Sequence, residues 1–173
     1  MEHGERRSRL EQLYTEHAPA VHAYARRRTD AASAEDVVME VFVIACRRLD
    51  QVPERPLPWL LGCARRTLAN QRRGARRAAA LLERLAHAQR PAGIGVQGGD
   101  AVATALARLR PGDREVLLLS AWEGLEAAEI AAVVGCSRTA AAVRLHRARR
   151  RLAAALEPAA PHPGDVRHEA EVT

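Results

Sequence analysis

Lysine is absent from this chain: all 27 basic side chains are arginine. Set against 21 acids they give a net charge of +6 and a pI of about 10.4. Arginine's planar fork suits phosphates and base edges. A bias towards arginine and alanine also follows from GC-rich coding, so composition alone decides nothing. Aromatic residues make up only 3%, so leucine, valine and alanine must build any core. Cys46, Cys63 and Cys136 form no C-x-x-C pair, which argues against a disulfide framework or a redox motif and predicts small buried residues in a cytoplasmic protein. No apolar run reaches the roughly 18–20 residues of a membrane span. The opening "MEHGERRSRL" lacks the apolar centre of a signal peptide. His17 and His22 are not at the i, i+4 spacing of a helical zinc pair, and no Ser, Cys or His forms a nucleophile motif. No enzyme activity, metal or cofactor is therefore expected.

Strand-like alternation is also missing, and helix formers dominate, which predicts an all-α fold. Leu10, Leu13, Tyr14, Val21 and Tyr24 recur at helical spacing, as do Val37, Val38, Val41, Phe42, Ala45 and Leu49. Ser33 with Asp36 resembles a capping box starting the second helix. Pro53, Pro56 and Pro58 break the chain and seed a third, which turns Leu57, Leu60, Leu61, Ala64 and Leu68 inward. "RPAGIGVQGGD" (90–100) has linker composition, and the last residues look like a disordered tail. The chain thus divides into helical domains at 8–77 and 101–156, joined by a flexible linker over 78–100 and followed by a tail over 157–173.

The second domain holds "AAEIAAVVGCSRTAAAVRLHRARRRL": helix, tight turn, helix. Gly135 supplies a permissive backbone and Ser137 a cap. Ala127, Ile130, Ala131 and Val134 form one inner stripe; Ala141, Leu145, Ala148 and Leu152 form another. Arg144, Arg147 and Arg151 lie on another face, with His146 nearby, and no acid interrupts the run. This is the pattern of a DNA-binding helix-turn-helix. Arg144 and Arg147 are expected nearest the bases, and Arg149, Arg150 and Arg151 at the phosphate backbone.

A second acid-free block, "ARRTLANQRRGARR", carries Arg65, Arg66, Arg72, Arg73, Arg76 and Arg77, with Asn70 inside it and Trp59 upstream. Cation, amide and ring together can track, read and stack a single strand; Trp59 equally suits core packing. Asp30, Glu35, Asp36 and Glu40 cluster near the start of the second helix. Acids there suit the helix dipole, and they also offer a docking face to a basic protein.

In combination and order, "LYTEHAPAVHAYARRRT", "SAEDVVMEVFVIACRRLD", "PLPWLLGCARRTLANQRRGARR" and "LRPGDREVLLLSAWEGLEAAEIAAVVGCSRTAAAVRLHRARRRL" resemble an extracytoplasmic-function (ECF) sigma factor of bacterial RNA polymerase, from residue 8 to about 153. The resemblance implies two helical domains, region 2 and region 4. Glu35, Asp36, Glu40, Val41 and Phe42 would bind the clamp helices of the beta-prime subunit. Trp59, Arg65, Arg66, Asn70, Arg72 and Arg73 would melt the −10 element and hold its non-template strand. Arg138, Thr139, Arg144, His146, Arg147, Arg150 and Arg151 would meet the −35 duplex, and neighbouring helices the beta flap. The linker would thread towards the active site and RNA exit channel, and an anti-sigma factor is implied as a partner.

The sequence departs from the family pattern in two places: Thr139-Ala140-Ala141-Ala142-Val143 opens the recognition helix with few polar atoms, and Arg66 stands where an amide is common. A freestanding helix-turn-helix regulator would explain residues 100–153 but neither the Trp–Asn–Arg block nor the acidic helix. A nucleic-acid enzyme would need a carboxylate cluster or metal ligands.

Overall fold

The computed structural model describes residues 3–85 and 101–156. Most of the predicted linker and the tail from 157 lie outside these residues. The order is α1 (His3–Arg26), α2 (Ala31–Arg47), a 3-10 turn (Leu49–Gln51), α3 (Pro56–Leu85), α4 (Ala101–Arg108), α5 (Pro111–Ala121), α6 (Ala127–Val134) and α7 (Arg138–Leu156).

The first three helices pack on one another. Val21, Tyr24 and Ala25 of α1 meet Ala34, Val37, Val41 and Ala45 of α2 and Leu60, Leu61 and Ala64 of α3 in the core. Tyr14 and Phe42 add an edge-to-face ring contact with centroids 4.8 Å apart. Each Leu or Val buried here contributes about 1.5–3 kcal/mol.

Helix α2 starts earlier than the Ser33–Asp36 spacing predicts. Asp30 is the N-cap, and its carboxylate accepts from Ser33 N at 3.0 Å and Ser33 Oγ at 2.8 Å. Ala31 and Ala32 favour helix strongly enough to extend it back to this acid. These bonds hold the Asp30 carboxyl below the usual carboxylate range. Cys63 is buried as expected, but Cys46 is exposed, on the outer side of α2. Helix α3 begins at Pro56 and runs to Leu85, past the expected domain end at 77. Its later residues are mostly strong helix formers, and no proline interrupts them.

In the second half α4, α5 and α6 all pack on α7. Val116, Leu119, Ile130, Val133, Ala141, Leu145 and Ala148 are buried. Glu126 caps α6 through a reciprocal box with Glu129. Gly135 ends α6 at φ +75°, where its missing Cβ matters. Ser137 Oγ then accepts from Ala140 N at 3.1 Å and starts α7. The turn chemistry expected between these helices is therefore present. The two halves also touch: α6 lies against α3, and the buried apolar side chains of both halves form one continuous cluster.

Candidate nucleic-acid and protein interfaces

Helix α7 turns Ala141, Leu145 and Ala148 into the core, with Leu152 half-buried on the same stripe. At about 100° per residue the opposite face holds Thr139, Val143, His146, Arg147 and Arg150, all exposed. Arg144 and Arg151 occupy one flank instead. Arg151 is ion-paired with Asp113, and the Arg144 guanidinium stands beside Gly112 at the start of α5. Arg147 lies about 60° round the helix from Arg144, between that flank and the outward normal. Arg149 sits on the other flank and donates to Ser120 Oγ at 3.1 Å. There His146, Arg149 and Ala142 face Gly124, Glu126 and Ala127 across a groove of about 480 Å³. Arg138 is exposed at the helix start. Val143, 43% exposed, was missed by a search for polar readers.

Helix α3 carries its arginines in two stripes. Trp59, Arg66, Asn70, Arg73 and Arg77 share one face, by the i, i+7 and i+11 relations of a helix. Arg65, Arg72 and Arg76 share another. On the first, Arg73 donates to Asn70 Oδ1, and Arg66 Nη2 lies 3.2 Å from Cys63 Sγ. Burial pushes the Cys63 thiol up despite this cation, which keeps it an unreactive thiol. Trp59 is half-buried against the core and stands about 16 Å along the axis from Asn70, so the two share a face without touching. On the second stripe, Arg72 donates to Arg28 O in the turn just after α1, at 3.0 Å. Arg65 grips Glu115 of α5 through Nε at 2.7 Å and Nη2 at 3.2 Å.

Beside the first stripe α2 and α3 enclose an open cleft of about 280 Å³. Arg66, Thr67 and Asn70 line it from α3; Glu40, Ile44, Arg47 and Arg48 line it from the α2 side. Arg47 and Arg48 were missed because "CRRLD" has the composition of an ordinary helix end. The adjacent pair of cations was the available signal.

On α2 the acids Glu35, Asp36 and Glu40 are exposed, whereas Val41 and Phe42 are not. Val41 is 0% and Phe42 7% exposed, so both face the core here. The apolar residues that share the acids' outer side are Met39 and Val43, at 62% and 44% exposure. Among the described residues no helix is long and apolar enough to cross a membrane.

This layout has relatives. Residues 13–78 match Sigma-70 region 2 and residues 99–152 match Sigma-70, region 4. The chain is 34% identical over 146 residues to RNA polymerase sigma factor CarQ of Myxococcus xanthus, covering 80% of this chain and 83% of that protein. It is 31% identical over 159 residues to the ECF RNA polymerase sigma factor SigL of Mycobacterium tuberculosis, covering 84% and 87%. Among solved structures it is similar to the sigma factor RpoE in complex with the anti-sigma factor NepR from Bartonella quintana, with TM-score 0.63, 25% identity, and 87% and 98% of the two chains covered. With a region 2 bundle, a region 4 helix-turn-helix and these relatives, the chain belongs to the ECF sigma factors, which direct RNA polymerase to specific promoters.

Proposed function

We propose that α2, α3 and α7 divide the sigma factor's work. The outer side of α2, with Glu35, Asp36 and Glu40 around Met39 and Val43, docks on the clamp helices of the beta-prime subunit: carboxylates select a basic partner and the two apolar side chains supply buried area. The Arg66–Asn70–Arg73 stripe and the cleft it shares with Arg47 and Arg48 take the −10 non-template strand. Guanidinium groups track the phosphates, and the Asn70 amide offers a donor and an acceptor to a base edge. Trp59 caps the same face, with its exposed edge available for stacking. Thr139, Val143, His146 and Arg147 meet the −35 major groove, where a valine suits a thymine methyl and an arginine a guanine. Arg138, Arg144 and Arg150 neutralise phosphates, with Arg65, Arg72 and Arg151 joining once freed from their protein partners. Region 4 also meets the beta flap. Like the sigma factor in the Bartonella complex, this chain has an anti-sigma factor as partner. It works in the cytoplasm, where the polymerase performs all the chemistry.

The observation that carries this proposal is the open cationic cleft holding Arg66 and Asn70 together. The test is a reconstituted holoenzyme on a promoter library, followed by permanganate footprinting of the selected promoters. Reactive −10 thymines that depend on this protein and vanish with Asn70→Ala support it. Full reactivity with Asn70→Ala and Arg66→Ala combined would overturn the strand-capture role.

A further inference from the structure

The outward face of α7 opens on methyl groups rather than on charge. Opposite the buried stripe of Ala141, Leu145 and Ala148, Val143 lies within about 10° of the outward normal. Thr139, one turn earlier, lies about 30° from that normal, and Ala140 borders the pair at about 70°. All three are exposed, Val143 by 43%. Arg147 follows one turn after Val143, also exposed, about 50° from the normal on the Arg144 side. No acid lies anywhere along α7.

A lone exposed valine is ordinary on a protein surface. This one fills no core, its branched side chain lowers helix propensity, and it stands on the side of the second helix that enters the major groove. The base edges in that groove offer one apolar feature, the C5 methyl of thymine. Cytosine carries a hydrogen at the same carbon and gains the same methyl when it becomes 5-methylcytosine. Arg147 lies about 6 Å from Val143 along the helix axis, which places it over a neighbouring base pair at roughly 3.4 Å per step. There its fork fits guanine O6 and N7.

We propose that Thr139, Ala140 and Val143 form a receptor for the C5 methyl of a major-groove pyrimidine, with Arg147 holding a guanine on a neighbouring pair. The proposal rests on the −35 role assigned to α7 and names the chemistry read there. Thymine and 5-methylcytosine present the same methyl at the same place, so the receptor accepts either and discriminates against unmethylated cytosine. Cytosine methylation at such a step therefore strengthens promoter engagement, and the output of this sigma factor follows the methylation state of its −35 elements. The scarcity of polar atoms at the start of α7 is then the source of its selectivity.

The test uses holoenzyme and labelled duplexes carrying the −35 sequence selected from a promoter library, with affinity read by fluorescence anisotropy. Uracil replaces thymine one position at a time, and 5-methylcytosine is compared with cytosine at the same positions. Each comparison changes one methyl and no hydrogen-bonding group. At one or two positions uracil is expected to weaken binding roughly fourfold, the effect of one buried methyl. There 5-methylcytosine is expected to bind tighter than cytosine by the same factor. Val143→Ala should abolish both effects and Val143→Ile retain them; alanine favours the helix, so the first variant keeps its fold. At the neighbouring guanine, 7-deazaguanine, which lacks N7, should weaken the parent and leave Arg147→Ala unchanged. The proposal is overturned if no methyl swap alters affinity, or if the methyl effects survive Val143→Ala undiminished. Native and scrambled −35 duplexes bound equally would overturn the −35 role of α7 along with it. Sequence discrimination that ignores the methyls overturns the methyl receptor alone.

Discussion

Two arginine-rich helices, α3 and α7, look alike as sequence and differ as structure. On α3 the arginines split into an open stripe and a stripe occupied by acceptors from other parts of the chain: Glu115 for Arg65 and the turn after α1 for Arg72. On α7 the flanking arginines are held inside their own half, Arg151 by Asp113 and Arg149 by Ser120, while the outward face is left uncommitted. Charge alone therefore says little about which arginine meets DNA. The distribution of acceptors around each helix says more, because a guanidinium already engaged must give up one partner to take another. By this criterion α7 is ready for duplex DNA as it stands, and α3 is ready on one side only.

The largest effect expected lies on neither helix. If α3 and α7 serve DNA and α2 serves the polymerase, then Asp36→Arg with Glu40→Arg should weaken binding to core polymerase by about a hundredfold or more, since like charges placed against a basic partner cost several kcal/mol. Arg66→Ala and Arg147→Ala should leave that binding unchanged. Co-purification with core enzyme, checked against helical content by circular dichroism, measures it. Unaltered co-purification of the α2 double variant would move the polymerase contact elsewhere.

Next comes the open stripe of α3. Trp59→Ala and Asn70→Ala should slow open-complex formation more than initial duplex binding, by roughly tenfold each, since a stacked or read base is worth about 1–3 kcal/mol. A template already melted across the −10 element should rescue both. Rescue of Asn70→Ala alone would return Trp59 to the core against which half its ring packs. Failure to rescue either would remove the strand from this face.

The helices themselves were legible in the sequence, for a physical reason: apolar residues at i, i+3 and i+4 must share a face, and Gly135 and Ser137 mark a turn by local geometry alone. What escaped was the use of the faces. Val41 and Phe42 belong to the inner stripe of α2, which Val37, Val38 and Ala45 share. Met39 and Val43 were the apolar residues left over. Arg47 and Arg48 gained meaning only when folding brought them opposite Asn70. The pairing of Glu115, Glu123 and Glu129 with Arg65, Arg27 and Arg55 joins residues far apart in the chain, and no periodicity encodes such a match. Gly62 of α3 lies where the α6 backbone comes into van der Waals range, yet Gly74 on the same helix faces open space, so a helical glycine does not by itself mark a contact.

On α7 the comparison sharpens to two neighbouring positions on the outward face. In holoenzyme bound to upstream promoter fragments, Arg147→Ala should cost about 1–3 kcal/mol on the native −35 sequence and little on a scrambled one, narrowing the gap between them. Arg150→Ala should weaken both equally and lower the salt slope by about one. Titrations at several salt concentrations separate these outcomes. Discrimination untouched by Arg147→Ala would assign base reading to Thr139, Val143 and His146.

The smallest effect compares the caps that start α2 and α7. Both are side-chain oxygens accepting a backbone N–H three residues on, Asp30 from Ser33 and Ser137 from Ala140. Removing either with alanine should lower the melting temperature by a few degrees at neutral pH. They should part company in acid. The Asp30 carboxyl titrates below its usual value because it accepts from Ser33. Its contribution is therefore complete above the unfolded carboxylate pKa of about 3.9 and fades as pH falls through the lower folded value. The gap between parent and Asp30→Ala should thus close below about pH 4, while the gap for Ser137→Ala stays constant, since a hydroxyl does not titrate there. Scanning calorimetry across that range measures both. The same scans show whether the halves melt together: with α6 packed on α3, weakening α2 alone should shift one shared transition, and two separate peaks would mean that the contact between regions 2 and 4 adds no cooperativity.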